Sequence, residues 1–355
     1  MKKLLFLICF FSLTAPAIAA KTDKHLLNEM LTTINKDYLY DVNNAELVAD
    51  GLNALHDVDK KFVASKGTDR IYVYYDGTIT AILPFPQDDR DINAWVNGID
   101  SVLQTAGKVS EEVVLRDYEM PDLMMKRMLD RLDKFSHYYS QYEYKEDGYN
   151  NKFHTLFADR MINDVLYLRI RVFNKQTTKQ IARAISENPK AKGVILDLRG
   201  NSGGMLNEAL QTANLFTDEE IITYTSARGG SKVRYYTSES GVLCDKPMAV
   251  IVDGDTASAA EVLAAGLQDQ SRAKVIGTRT FGKGTIQNIT EMSNGGKLVL
   301  TTEQFFTPSG KVIHEVGVMP DICTVLGRDD KCAKESRLDE EEEIDKAVKL
   351  IRNEL

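Results

Sequence analysis

The sequence predicts an α/β fold: a layered strand–helix core, preceded by a helical region with a β-hairpin and followed by a C-terminal helix. Three observations carry this. From Val165 onward, short apolar strands alternate with helical segments, the pattern of a layered α/β core. Before Val165, apolar residues recur mostly at helical spacing. At the end, Ile344, Ala347, Val348 and Ile351 share one helical face. The 355 residues allow about two domains.

The elements follow in chain order. Lys2 and Lys3 precede a short apolar run, Leu4–Leu13, and Ala17-Ile18-Ala19 fits the small-x-small cleavage rule. Residues 1–19 are therefore expected to be a signal peptide, placing the protein in the periplasm or outside the cell. Its removal would take the net charge from −8 to about −10. Neither that charge nor the absence of a Lys/Arg block favours nucleic acid. No later segment is long and apolar enough to predict stable membrane insertion.

Residues 20–140 form the expected N-terminal region. Leu26, Leu27, Met30, Leu31 and Ile34 mark one helix, and Leu47, Val48, Leu52 and Leu55 another. Between Arg70 and Leu83 the period changes to two, around an Asp76-Gly77 turn, which predicts a hairpin over 70–83. Helix returns over Ile92–Leu103 and Leu123–Leu132.

Residues 141–335 form the expected core. Val165–Val172, Gly193–Leu198 and Met248–Val252 read as strands. Thr177–Glu187, Met205–Phe216 and Ala257–Gln268 read as helices. Lys274–Gly277, Thr285–Ile289, Lys297–Thr302 and Gln304–Phe306 read as short strands. Residues 336–355 give the C-terminal helix. Its acidic start, Asp339–Glu343, suits the helix macrodipole and predicts a capped surface helix. An exported chain permits disulfides: either Cys323 pairs with Cys332, leaving Cys244 odd, or all three are free thiols. No Cys/His spacing implies a metal, and no cofactor is expected.

Three segments could carry chemistry. Gly200-Asn201-Ser202-Gly203-Gly204 matches G-x-S-x-G between a strand and a helix, as a nucleophile elbow would, with His314 the only downstream histidine. A Gly-rich turn presenting backbone N–H groups fits it equally. Gly277–Lys283 spells G-x-x-x-x-G-K, but Gly284 replaces the hydroxyl that a phosphate loop needs. The third pairs Ser258, expected in the first turn of a helix, with Lys283. If residues 281–287 are extended, Lys283, Thr285 and Gln287 share a face. A desolvated lysine can act as base for a serine, and Gln287 could hold its amine.

Taken together, these segments resemble the C-terminal processing, or tail-specific, proteases. Asp197-Leu198-Arg199-Gly200-Asn201-Ser202-Gly203-Gly204 is similar to that family's D-L-R-x-N-x-G-G signature. Thr256-Ala257-Ser258-Ala259-Ala260-Glu261 resembles its nucleophile segment, and Thr280–Gln287 its T-F-G-K-G-x-x-Q lysine segment. Phe306–Lys311 and Gly317–Ile322 resemble its closing motifs, and Leu132–Ser140 more loosely its L-D-P-H-S-S-Y segment. The resemblance implies a core related to the ClpP/crotonase-like fold. It implies a serine endopeptidase acting on protein or peptide substrates, with Ser258 as nucleophile, Lys283 as general base and Gln287 orienting it. The N–H of Ala259, with one from Gly203-Gly204, would form the oxyanion hole. It also leaves room for a homodimer or a regulatory partner.

The family usually carries a PDZ domain after the L-D-P-H-S-S-Y segment. Here only residues 141–163 separate Ser140 from the next strand, too few for one. The chain therefore resembles a PDZ-less member. Two other readings compete: a catalytically silent peptide- or lipid-binding protein on the same fold, and an esterase using Ser202 with His314.

Overall fold

The computed structural model describes residues 23–143, 157–218, 221–230, 233–237, 241–324, 332 and 339–354. The expected signal peptide lies outside these residues. The chain divides into two compact units: residues 23–36, 42–143 and 290–299, and residues 37–41, 144–289 and 300–355 within the described limits.

In the first unit, α1 (Lys24–Asp37) and α2 (Asn44–Leu52) bury the apolar faces read from the sequence, except that Leu55 of the second falls beyond α2, in the next short helix. After α3 (Ala54–Val58) come three antiparallel strands, β1 (Phe62–Lys66), β2 (Arg70–Tyr75) and β3 (Thr78–Pro84). The expected hairpin is present. Asp76 and Gly77 hold φ of 49° and 76°, as a type I′ turn requires. Its register shifts between Val73 and Tyr74, so the alternation is not continuous. β1 was not foreseen, because Phe62–Lys66 is short and half polar. α4 (Ile92–Val109) buries Trp95, whose Nε1 donates to the Asp89 carbonyl at 2.9 Å. α5 (Glu111–Leu115), α6 (Met120–Leu132) and β4 (His137–Tyr139) complete the run. β4 pairs with residues 297–299, and Tyr138 Oη donates to Asp122 at 2.8 Å.

The second unit holds the expected layered core. Its six-stranded sheet runs in the order β14 (Ile322–Cys323), β11 (Lys274–Gly277), β10 (Met248–Val252), β7 (Gly193–Asp197), β6 (Val165–Ile170), β5 (Phe157–Ile162). Five of these strands are parallel: β6, β7, β10, β11 and β14. β5 joins the edge antiparallel to β6. β7 and β10 are buried throughout, as continuous apolar runs in a sheet covered on both faces should be. The crossover helices are α7 (Thr177–Glu187), α8 (Leu206–Asn214) and α9 (Ala259–Asp269). Residues of all three join one core cluster, while α10 (Glu340–Ile351) buries Ile344, Ala347, Val348 and Ile351 in another.

A second sheet is formed by β8 (Ile221–Ser226), β9 (Val233–Thr237), β12 (Thr285–Glu291) and β13 (Lys297–Phe306), in the order β12–β13–β8–β9. β8 and β9 had not been read from the sequence, and β13 is one strand where two were expected. Cys323 and Cys332 form a disulfide, and Cys244 is a buried free thiol.

α10 corrects one expectation. It is capped as foreseen, with Asp339 accepting from the Glu341 amide at 3.1 Å. It is not a plain surface helix, however, because Glu343 is fully buried and meets Arg199 at 2.8 Å. Arg199, also fully buried, binds Asp197 through Nε at 2.9 Å and Nη2 at 2.6 Å. A buried guanidinium needs such partners, and α10 supplies one of them.

Candidate active site

All the residues singled out for catalysis lie in the second unit. β10 ends at Val252, and a tight turn leads into α9. Asp253 Oδ1 accepts from the amides of Gly200, Asp255 and Thr256, fastening this turn to the one after β7. Ser258 sits not in the first helical turn but one step earlier, at the N-cap. Its φ is 56° and its ψ −123°. A positive φ is costly for a residue with a Cβ and persists where surrounding contacts hold it. Ser258 thus carries the strained backbone of this strand–helix junction. Ser202, the alternative, has no positive φ and lies four residues ahead of α8.

The turn after β7 packs directly on Ser258. A Cβ placed on Gly203 would lie 2.9 Å from the Ser258 Cβ and 3.0 Å from the Ala259 nitrogen. Gly203 also holds φ of 101°, so the position demands glycine twice over. Asn201 fixes the turn. Its Nδ2 donates to the Ile170 carbonyl at 2.9 Å, its Oδ1 accepts the Gly203 amide at 2.8 Å, and its carbonyl accepts the Ala257 amide at 2.9 Å. The Gly203 amide is therefore occupied. Those of Gly204 and Ala259 have no acceptor among the described residues.

The lysine segment is stitched to the same place. The Phe281 amide donates to the Thr256 carbonyl at 3.0 Å, and the Phe305 amide to the Gly284 carbonyl at 2.7 Å. The backbone comes so close here that a Cβ on Gly284 would lie 2.3 Å from the His314 nitrogen. Strand β12 follows directly, so Gly277–Lys283 does not open a helix and is not a phosphate loop. Lys283 is half-buried, and burial pulls its amine below the ordinary lysine value. That is the direction a neutral base requires. Gln287 Nε2 donates to Thr285 Oγ1 at 3.0 Å and Thr301 Oγ1 at 3.2 Å. Thr285 and Gln287 therefore share a face, as the alternation predicts.

Two roles were not read from the sequence. Glu261 is fully buried and accepts from the amides of Ser258 and Lys283, each at 2.8 Å. Asp269, ending α9, holds the Thr307–Lys311 turn: it accepts from the Ser309 amide at 2.6 Å and from Lys311 Nζ at 3.1 Å. An acid three residues after an N-cap serine is a capping-box signal and could have flagged Glu261. Nothing local flags Asp269, since its partners are distant in sequence.

The α/β core thus brings together a strained serine at a strand–helix junction, backbone N–H donors and a half-buried lysine segment, an arrangement whose chemistry suits attack by the serine. Residues 164–324 match the model of Peptidase family S41. Over 157 residues it is 40% identical to the carboxyl-terminal-processing protease of Synechocystis, covering 44% of this chain and 36% of that protein. Over 171 residues it is 37% identical to the carboxy-terminal processing protease CtpA of Bacillus subtilis, covering 47% and 36%. The match thus spans little over a third of these relatives' length. A solved lipoprotein from Streptococcus agalactiae is similar in fold, with TM-score 0.53 and 18% identity over 90% of this chain and all of that one.

Proposed function

We propose that this protein is an exported serine endopeptidase, periplasmic or secreted, which hydrolyses protein or peptide substrates through a Ser258–Lys283 dyad. The observation that carries the reading is the positive-φ N-cap serine, packed on a glycine turn and sharing a carboxylate oxygen with the lysine amide. Neutral Lys283 takes the Ser258 proton as Oγ attacks the scissile carbonyl. The Ala259 and Gly204 amides receive the developing oxyanion, since Gly203 already serves Asn201. Lys283 then protonates the leaving amine, and water, activated by the same amine, clears the acyl-enzyme. Gln287 orients Lys283 from the strand that follows. The catalytically silent reading accounts for none of the strain at Ser258.

Cleavage of a fluorogenic peptide by wild type, Ser258→Ala, Lys283→Ala and Ser202→Ala tests this. The two dyad variants should each lose at least about 10³-fold in kcat, while Ser202→Ala stays near wild type. Full activity in Ser258→Ala would sink the dyad. Loss confined to Ser202→Ala would point to the esterase-like arrangement.

A further inference from the structure

Glu261 does more than a helix-capping acid needs to do. A capping acid binds the N-cap amide, here that of Ser258. Three of the four hydrogen bonds to this carboxylate come instead from the lysine segment. Oε1 accepts Thr280 Oγ1 at 2.5 Å and the Gly282 amide at 2.6 Å. Oε2 accepts the Lys283 amide at 2.8 Å, on the same oxygen that takes the Ser258 amide at 2.8 Å. Both halves of the dyad therefore hang from one oxygen atom of a fully buried side chain.

Resting on the dyad reading above, we propose that Glu261 is a positioning residue that fixes the separation of Ser258 and Lys283. It touches no reacting atom and acts through the two backbones. Four donors converge on its carboxylate, which matches an anion, while burial pushes its pKa upward. The bridge is bidentate and spans two chain segments, so neither half can shift without breaking a charge-assisted bond to a fully buried carboxylate. An amide in its place has one acceptor oxygen. Its NH2 group must face a backbone N–H on either side; the Thr280 side is the less hostile, because a hydroxyl can turn to accept.

The test is Glu261→Gln in the full chain, assayed on the fluorogenic peptide across pH, with thermal melting as a check on folding. A shift of the dyad by a fraction of an ångström predicts a kcat lower by about 10²-fold with KM within about twofold. The alkaline-rising limb of kcat, which reports Lys283, should move as well. A folded Glu261→Gln with kcat within about threefold of wild type, or a loss confined to KM, overturns the proposal. If that variant melts below the assay temperature, Thr280→Val decides: it removes one Oε1 donor and leaves both dyad amides in place. A kcat lower by about tenfold with unchanged KM supports the proposal, and wild-type kcat overturns it. Failure of the dyad reading has a separate signature, Ser258→Ala retaining cleavage.

Discussion

Lys283 answers to two demands that pull against each other. As the proposed base it needs its amine neutral near working pH, and burial lowers its pKa in that direction. Peptidase activity should therefore rise with pH along a limb whose apparent pKa lies below the ordinary lysine value of 10.5. A flat kcat from neutral to alkaline pH, with chemistry rate-limiting, would remove Lys283 from the role of base. The same shift carries a stability cost. With the folded-state pKa below the unfolded one, the folded protein binds fewer protons between the two, so stability rises with pH through that window. The cost is fully present below the folded pKa. Lys283→Met should thus melt higher than wild type at neutral pH, and the gap should narrow as pH approaches 10.5. Calorimetry at several pH values reads this, and a gap independent of pH would contradict it. The roles proposed for Ser258 and Lys283 are legible in the sequence because residue type and spacing suggest that chemistry. Glu261 is legible only as a motif letter, since the role proposed for it arises from atoms that folding brings together.

At the scale of elements, the pairing of β7 with α10 is the least foreseeable feature. The sequence shows a charged Asp197-Leu198-Arg199 run closing an apolar strand, and an acidic helix start far downstream. Only folding puts Arg199 against Glu343, at 2.8 Å with neither side chain exposed. Tyr167 Oη also donates to Asp197, at 2.5 Å. Removing Glu343 leaves Arg199 its Asp197 carboxylate but takes away a charge-assisted bond between two buried groups. Glu343→Ala should destabilise the protein by about 1.5–3 kcal/mol, as read by denaturant unfolding. A loss under about 1 kcal/mol would mean that α10 is held by Ile344, Ala347, Val348 and Ile351 alone. The buried strands and their crossover helices were readable because continuous apolar runs and helical periods are strong signals. β1, β8 and β9 were not, being short and largely half-exposed, and specified by strand partners more than by their own composition.

For the whole molecule, the question is what selects the substrate. The span between Ser140 and β6 is too short for a PDZ domain, the module that reads substrate C-termini in the family this chain resembles. If selection by a free C-terminus depends on that module, it should be absent here. An amidated peptide should then be cleaved with kcat/KM within about twofold of its free-acid form. A tenfold or greater preference for the free acid, read by initial rates, would show a tail-binding site elsewhere. Which serine attacks decides the proposed chemistry. Labelling with a fluorophosphonate, followed by peptide mass spectrometry, locates it directly. The dyad predicts a single adduct on Ser258, formed faster as pH rises and lost in Lys283→Ala. An adduct on Ser202, or labelling of Ser258 undiminished by Lys283→Ala, would contradict it.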